Sequence, residues 1–426
     1  RIKEVGAKVK RELELGKGGL ARVVLFSADE PSDSRLLFVI HHLIVDGVSW
    51  RILFNDLNLA YQYWCDGQPI QLAAKTTSLQ QWGLELGAYA ASDRLQSQKP
   101  FWLRQLAPID SDKAFTQVQD EDTYGTASTE TIRLSPDLTR ALLSQSNQAY
   151  NTQIQDLLVT ALLRALHTWL GYTEMRISFE SHGRANIHEG VDLSETLGWF
   201  TSVYPLKLAL PSCHDSKLQP LADCIKSVKE QLRDVPDNGI GFGVLQHMVA
   251  DKEVLERLSH CGNGVVFNYL GQLDAQSRQE TSFSFAPEQH GEDISPAHKR
   301  SHQLGINGAV VKDCLQFNID YHQMNHSRGA IEQLTDALSA SLEELVLHCQ
   351  SAEQTSFTPC DFPLIKELNQ AELDGLQQTY PRLTNLYPTT DVQRGFIYHS
   401  LLEEGNGAYA SQLHLDFTGG FEPQHF

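Results

Sequence analysis

Two clusters of residues have the types and spacing for proton chemistry. The first, His41-His42-Leu43-Ile44-Val45-Asp46-Gly47, closes the apolar run 36–40. An imidazole changes charge near neutral pH, so one held at a strand end can accept or donate a proton under physiological conditions. Adjacent residues on an extended chain point to opposite sides, so only one of His41 and His42 can face a given cavity, which argues against both binding one metal ion. A lone histidine in a turn is more commonly a hydrogen-bonded structural residue. The second histidine and Asp46, four residues beyond His42, favour a working imidazole instead. The second cluster, Glu180-Ser181-His182-Gly183-Arg184, has the same placement, at the end of a strand expected over 176–179.

The elements around these clusters can be read from periodicity. The run 36–40 suits a strand covered on both faces, Asp46-Gly47 supplies a turn, and a helix follows with Ser49 as its N-cap. Trp50, Leu53, Leu57, Tyr61 and Trp64 give that helix one apolar stripe. A strand over 20–27 precedes, after a Gly-Lys-Gly-Gly turn, and 78–106 reads as mainly helical. The polar stretch 108–122 has too few apolar residues for a core and separates two lobes, 1–115 and 116–350. In the second lobe come a strand over 129–134, a helix opened by Ser135-Pro136, and a strongly apolar helix from Ile154 that Gly171 ends. Pro205 assigns the strand 202–210 to a sheet edge or a bulge. A helix over 217–233, strands over 265–270 and 315–321, and a helix over 331–347 complete a mixed α/β architecture (α+β) with non-sequential strand pairing. The glycine-rich segment Pro236-Asp237-Asn238-Gly239-Ile240-Gly241-Phe242-Gly243 follows a helix and lacks the Lys-Ser/Thr ending of a nucleotide loop, so it reads as a tight loop permitting close backbone approach. Residues 351–386 read as an interdomain linker, with Asp361-Phe362-Pro363-Leu364 as its compact apolar knot, and 387–426 as the beginning of another unit.

Composition narrows the function classes. The 426 residues carry 34 basic and 53 acidic side chains, a net charge of -19, which disfavours nucleic acid and anionic membrane as partners. The seven cysteines are scattered and form no CxxC pair, so neither a disulfide framework nor a zinc site is indicated, and a cytoplasmic location fits. No apolar run has the length of a membrane span, and no signal segment opens the chain. The first residue is Arg1, which suggests a piece of a longer protein.

The first cluster resembles the HHxxxDG motif of the condensation-domain superfamily of non-ribosomal peptide synthetases. Further segments resemble that superfamily's epimerization domains: Asp156-Leu157-Leu158-Val159-Thr160-Ala161, Glu180-Ser181-His182-Gly183-Arg184, Gly198-Trp199-Phe200-Thr201-Ser202-Val203-Tyr204-Pro205 and Phe267-Asn268-Tyr269-Leu270-Gly271. The glycine-rich segment falls where the family has one. Ser181 departs from the glycine usual in ExHGR. The family's opening motif is absent, so the chain resembles an epimerization domain cut inside its first lobe, with apolar surface exposed by the missing part. Asp361 to Leu364 resembles the linker after such domains, and Tyr387-Pro388-Thr389-Thr390-Asp391-Val392-Gln393-Arg394-Gly395 the opening of a downstream condensation domain.

The resemblance implies a two-lobed, chloramphenicol-acetyltransferase-like fold with its active site in the cleft between lobes. It also implies inversion, L to D, at Cα of an aminoacyl or peptidyl thioester in peptide antibiotic biosynthesis. No cofactor is expected on the chain itself; the substrate would arrive on the 4'-phosphopantetheine of an upstream carrier domain, loaded by an adenylation domain. Inversion requires proton removal on one face and return on the other, and the resemblance assigns these roles to His42 and Glu180. Proximity to a helix N-terminus would favour a neutral imidazole. The enolate oxygen formed on the way needs donors, for which Asn268, Tyr269 and backbone amides near Ser49 are candidates. Asp46 is expected as a structural carboxylate, His41 and Arg184 as supports, and Trp50, Trp199 and Tyr204 as wall or core residues lining the cleft. Condensation through His42, alone or combined with epimerization, is the alternative reaction, and a docking or spacer domain without catalysis is the non-enzymatic one.

Overall fold

A computed structural model describes the chain except for residues 31–32, 116–121, 213–216, 262–263, 273–282, 284–285, 403–411, 417 and 420–426. The boundary at 115/116 and the segment 387–426 therefore lie partly outside the described residues. Arg1–Ser356 forms one compact unit and Phe357–Phe426 a second.

In the first unit, β1 (Ala21–Phe26) and β2 (Arg35–Ile40) pair antiparallel with each other. No third described strand joins them, and β2 is not covered on both faces as expected: Val39 on one face is buried while Leu36 on the other is 43% exposed. The larger sheet contains β3 (Ala127–Arg133), β4 (Glu174–Ser181), β5 (Ser202–Ala209), β6 (Val265–Gln272), β7 (Leu304–Val311) and β8 (Cys314–His322), in the order β3-β8-β7-β6-β4-β5. β4 and β7 run parallel to β6, and the other pairs are antiparallel. Pro205 lies in β5, an edge strand, where its missing N–H costs the sheet least. β7 lacks an obvious strand signature because Gly305, Asn307 and Gly308 interrupt it, yet Gly308 is needed there: a Cβ would stand 2.5 Å from the Phe317 ring.

The sheet has one core face. In β8, Leu315, Phe317, Ile319 and Tyr321 are at most 1% exposed and alternate with half-buried Gln316, Asn318 and Asp320. The helix Ile154–Leu170 is buried nearly all round and packs with the helix Arg328–Gln350, and it ends on Gly171 in the left-handed conformation. The helices Leu79–Ala90 and Asp93–Gln105, capped by Ser78 and Ser92, place Trp82, Tyr89, Leu95 and Trp102 in the same core. The stretch after them is not devoid of core residues, contrary to expectation. Ile109 and Phe115 are buried, and the Asp112 carboxylate accepts hydrogen bonds from the buried Arg176 guanidinium of β4. The amphipathic helix starts at Leu221 rather than 217, directly after Pro220, and the helix Ile2–Arg11 had no clear signal.

The second unit contains a single turn at Pro359–Asp361 and the helix Gln370–Thr379; Phe362 and Leu373 are buried, and Phe362 meets Phe357 edge-on. The helix Asp391–Leu402 has no buried residue.

Candidate active site

The histidine loop grows directly from β2. The His41 N–H donates to the Leu20 carbonyl (2.8 Å), and the chain then makes one 3-10 turn, His42–Ile44. His41 uses its ring locally, Nδ1 accepting from the Leu43 N–H at 3.1 Å. His42 is exposed and faces Trp199, with ring centroids 4.8 Å apart and planes inclined at 54°. The two imidazoles thus have different surroundings, although His42 opens a 3-10 turn instead of continuing the extended strand on which the alternation argument rests.

Asp46, not Ser49, caps the helix Gly47–Cys65, its Oδ1 accepting from the Ser49 N–H at 2.7 Å. The turn chemistry of Asp46-Gly47 places the cap three residues earlier than expected. The stripe on this helix is also less buried than its spacing suggested: Ile52 is buried, whereas Tyr61 and Trp64 are 40% and 69% exposed. Trp50 stacks on Phe54, which meets Phe38 of β2 edge-on, so it belongs to packing of the helix on the ribbon.

Freed from capping, the fully buried Ser49 side chain joins two loops. Its hydroxyl donates to the Gly198 carbonyl (2.9 Å) and accepts from the Gly198 N–H and from Arg184 Nη2, both at 3.1 Å. Arg184 Nη2 also donates to both Asp46 oxygens, at 3.1 and 3.4 Å, and the Phe200 N–H donates to Asp46 Oδ2 at 3.2 Å. Arg184 Nη1 donates to the carbonyls of Leu193 and Thr196, and its guanidinium carbon sits 4.2 Å from the Phe200 ring centroid. This buried ion pair therefore has the additional hydrogen bonds that offset desolvation. Asp46 is a structural carboxylate in a clamp that fixes the histidine loop to the loops after β4 and before β5. Gly183 is required by the same clamp: its φ is 64°, and a Cβ would lie 1.6 Å from the Phe200 carbonyl oxygen.

Glu180 is the penultimate residue of β4. Phe179 pairs with Phe267, so Glu180 stands beside Asn268 of β6, whose Nδ2 donates to Glu180 Oε2 at 2.6 Å. Burial pushes the Glu180 carboxyl above the usual carboxylate range; the charge of nearby His42 and the Asn268 hydrogen bond offset part of that rise. His42, Trp199, Glu180 and Asn268 thus converge on one site.

Other candidates lie elsewhere. Tyr269 alternates with Asn268 and packs against the core. Tyr204 is 7% exposed, sits against Trp102 and Phe179, and burial raises its phenol to about 12, so it is a core residue and not a cleft wall. The Ser49 N–H already donates to Asp46 and is not free to serve an oxyanion. Only the first half of the glycine-rich segment is the expected tight turn: Pro236–Gly239 makes a 3-10 turn in which Gly239 has φ 84° and a Cβ would be 2.0 Å from the Tyr204 ring, whereas Ile240 to Gly243 already belong to the helix Ile240–His247. Asp237 anchors the turn by accepting from Tyr89 Oη (2.7 Å) and Gln98 Nε2 (2.6 Å). Among the described residues, no cluster of three His, Cys, Asp or Glu could hold a metal ion, and no helix is long and apolar enough to cross a membrane.

Comparison with known proteins agrees with this architecture. The chain is similar to the epimerization domain from the third module of tyrocidine synthetase B, with 31% identity, a TM-score of 0.72, and coverage of 83% of this chain and 77% of that one. It shares its fold, at 16% identity and a TM-score of 0.53, with the first condensation domain of the CDA synthetase. A linear gramicidin synthase subunit of Brevibacillus parabrevis is 38% identical over 98% of this chain, and bacitracin synthase 3 of Bacillus licheniformis is 33% identical over 99% of it. The chain spans only 5% and 6% of the length of those two relatives. The family model for the condensation domain matches residues 1–362, and the chain belongs to that family of catalytic domains of non-ribosomal peptide synthetases.

Proposed function

We propose that this domain inverts the Cα configuration of an aminoacyl or peptidyl thioester carried on the phosphopantetheine of a carrier domain. The observation that carries this reading is the half-buried Glu180 carboxylate, oriented by Asn268 and close enough to His42 for their charges to interact. One of the two groups removes the Cα proton, and the electron pair moves into the thioester carbonyl to form an enolate. The other group returns a proton to the opposite face as the carbonyl reforms. Glu180 is suited to proton transfer as a carboxyl whose affinity for a proton is increased by burial, and His42 presents an exposed imidazole beside it. Amide formation needs no carboxylate opposite the histidine, so Glu180 favours inversion over condensation. The partners that go with this reading are an upstream carrier and its adenylation domain, and a condensation domain that begins within 387–426.

The test is deuterium incorporation at Cα, in heavy water, with the full chain and a loaded carrier domain. The wild type exchanges and yields both stereoisomers. His42→Ala and Glu180→Gln each lose about 100- to 10,000-fold in rate, and a variant that still exchanges one stereoisomer reveals which face its missing group serves. Amide formation between two carrier-bound substrates without Cα exchange would assign condensation instead.

A further inference from the structure

The open face of the large sheet carries a row of amides that leads away from Glu180. Asn268 of β6 is in register with Asn307 of β7, Asn307 with Asn318 of β8, and Asn318 with Thr131 of β3. Asparagine is depleted in strands, yet three adjacent strands place one at the same height. All three are half-buried on the face opposite Phe267, Ile306 and Phe317, which fill the core. Their hydrogen-bonding capacity is only partly used. Asn268 donates to Glu180, and Asn318 Oδ1 accepts from Thr131 Oγ1 and Gln316 Nε2, both at 3.0 Å. Among the described residues, none hydrogen-bonds to the Asn307 side chain. Beside the row, the His302 ring covers Gly305, where a Cβ would stand 2.7 Å from Nε2, and so walls one side.

We propose that this row is a subsite for the peptide portion of a carrier-tethered peptidyl thioester, an inference that rests on the inversion reading and assigns its substrate class. The occupant follows from chemistry and from continuity with the reacting centre. Side-chain amides offer one acceptor and two donors each and no charge, matching the peptide groups of any sequence. Strands lie about 4.8 Å apart, so the row runs roughly 10 Å from Glu180 to Asn307 and about 19 Å to Thr131. An extended peptide advances about 3.3 Å per residue. With the inverted residue at Glu180, its next two or three upstream residues lie over Asn268 and Asn307, and five or six reach β3.

The experiment compares pantetheine thioesters with one, two, four and six residues, ending in apolar, aromatic, polar or charged residues, by Cα deuterium uptake in the full chain. Exchange efficiency, kcat/KM, rises from one residue to about four and levels off by six. Asn307→Leu and Asn318→Leu lower the ratio of tetrapeptidyl to aminoacyl efficiency by roughly 3- to 10-fold each, the effect of one or two lost hydrogen bonds. Efficiency independent of length, or a ratio unaltered in both variants, overturns the subsite and leaves an ordinary solvated sheet face. Absence of exchange with every thioester overturns the inversion reading itself.

Discussion

Replacing Asp46 by asparagine keeps the size of the side chain and removes its charge. Each Asp46 oxygen accepts from a backbone N–H, Oδ1 from Ser49 and Oδ2 from Phe200, and each also accepts from Arg184 Nη2. Whichever way the new amide is turned, its NH2 meets one of those backbone donors. A buried donor without an acceptor costs about 1–3 kcal/mol. Arg184, with its side chain 8% exposed, also loses the opposite charge. Removing one partner of a buried pair outright costs about 3–5 kcal/mol, and the remaining amide oxygen keeps part of the interaction. A net loss of about 3 kcal/mol follows from these limits. For the unit Arg1–Ser356, an unfolding entropy of about 2.1 cal/mol/K per residue sums to roughly 0.75 kcal/mol/K, so the melting temperature falls by about 4 °C. Scanning calorimetry of the wild type, Asp46→Asn, Arg184→Met and the double variant measures both the loss and the coupling, which should be at least about 1 kcal/mol. An unchanged melting temperature for Asp46→Asn, or strictly additive effects, refutes the clamp.

Glu180 gives a pH-dependent counterpart. Its carboxyl is raised in the folded protein, so the folded state binds the proton more tightly than the unfolded one and loses stability as pH rises from about 4.5 through the raised folded value. Glu180→Gln should therefore be more stable than the wild type at neutral pH and level with it once both states are protonated in acid; denaturant midpoints at pH 4 and pH 7.5 measure this, and a stabilisation equal at both would refute the desolvated carboxylate. Gly183→Ala meets both a left-handed backbone and the Phe200 carbonyl. Left-handed strain of about 1–2 kcal/mol and overpacking of about 1–3 kcal/mol should lower its melting temperature by roughly 3–7 °C, against no change if the loop can simply shift.

Periodicity made the elements beneath the site legible. An unbroken apolar run marked β2, the stripe from Ile154 marked the central helix, and Pro205 marked an edge strand or a bulge. β7 escaped because two glycines and an asparagine erase its alternation, although Gly308 is there to admit Phe317. Likewise, Ser49 reads as a cap because serine and a following apolar stripe fit that role. Its actual partners, Gly198 and Arg184, are 149 and 135 positions away, and local pattern holds no information about them. The exposure of Leu36 and Trp64 was hidden for the same reason: periodicity says which side of an element is apolar, not whether anything covers it.

The two proposed acid/base groups are held with unequal firmness. Glu180 stands in a six-stranded sheet and is hydrogen-bonded to the next strand, whereas His42 is exposed on a single turn beyond a two-stranded ribbon. The ribbon cannot by itself fix the imidazole against the carboxylate. The clamp can, because its ion pair joins the residue four positions after His42 to the residue four positions after Glu180. Four residues span at most about 14 Å even when extended, and the segment after His42 is shortened further by its 3-10 turn. The Asp46–Arg184 contact therefore limits how far His42 and Glu180 can separate. HHxxxDG and ExHGR each carry one proposed acid/base residue and one anchor at the same spacing, and it is the pairing of anchors that draws two distant motifs together.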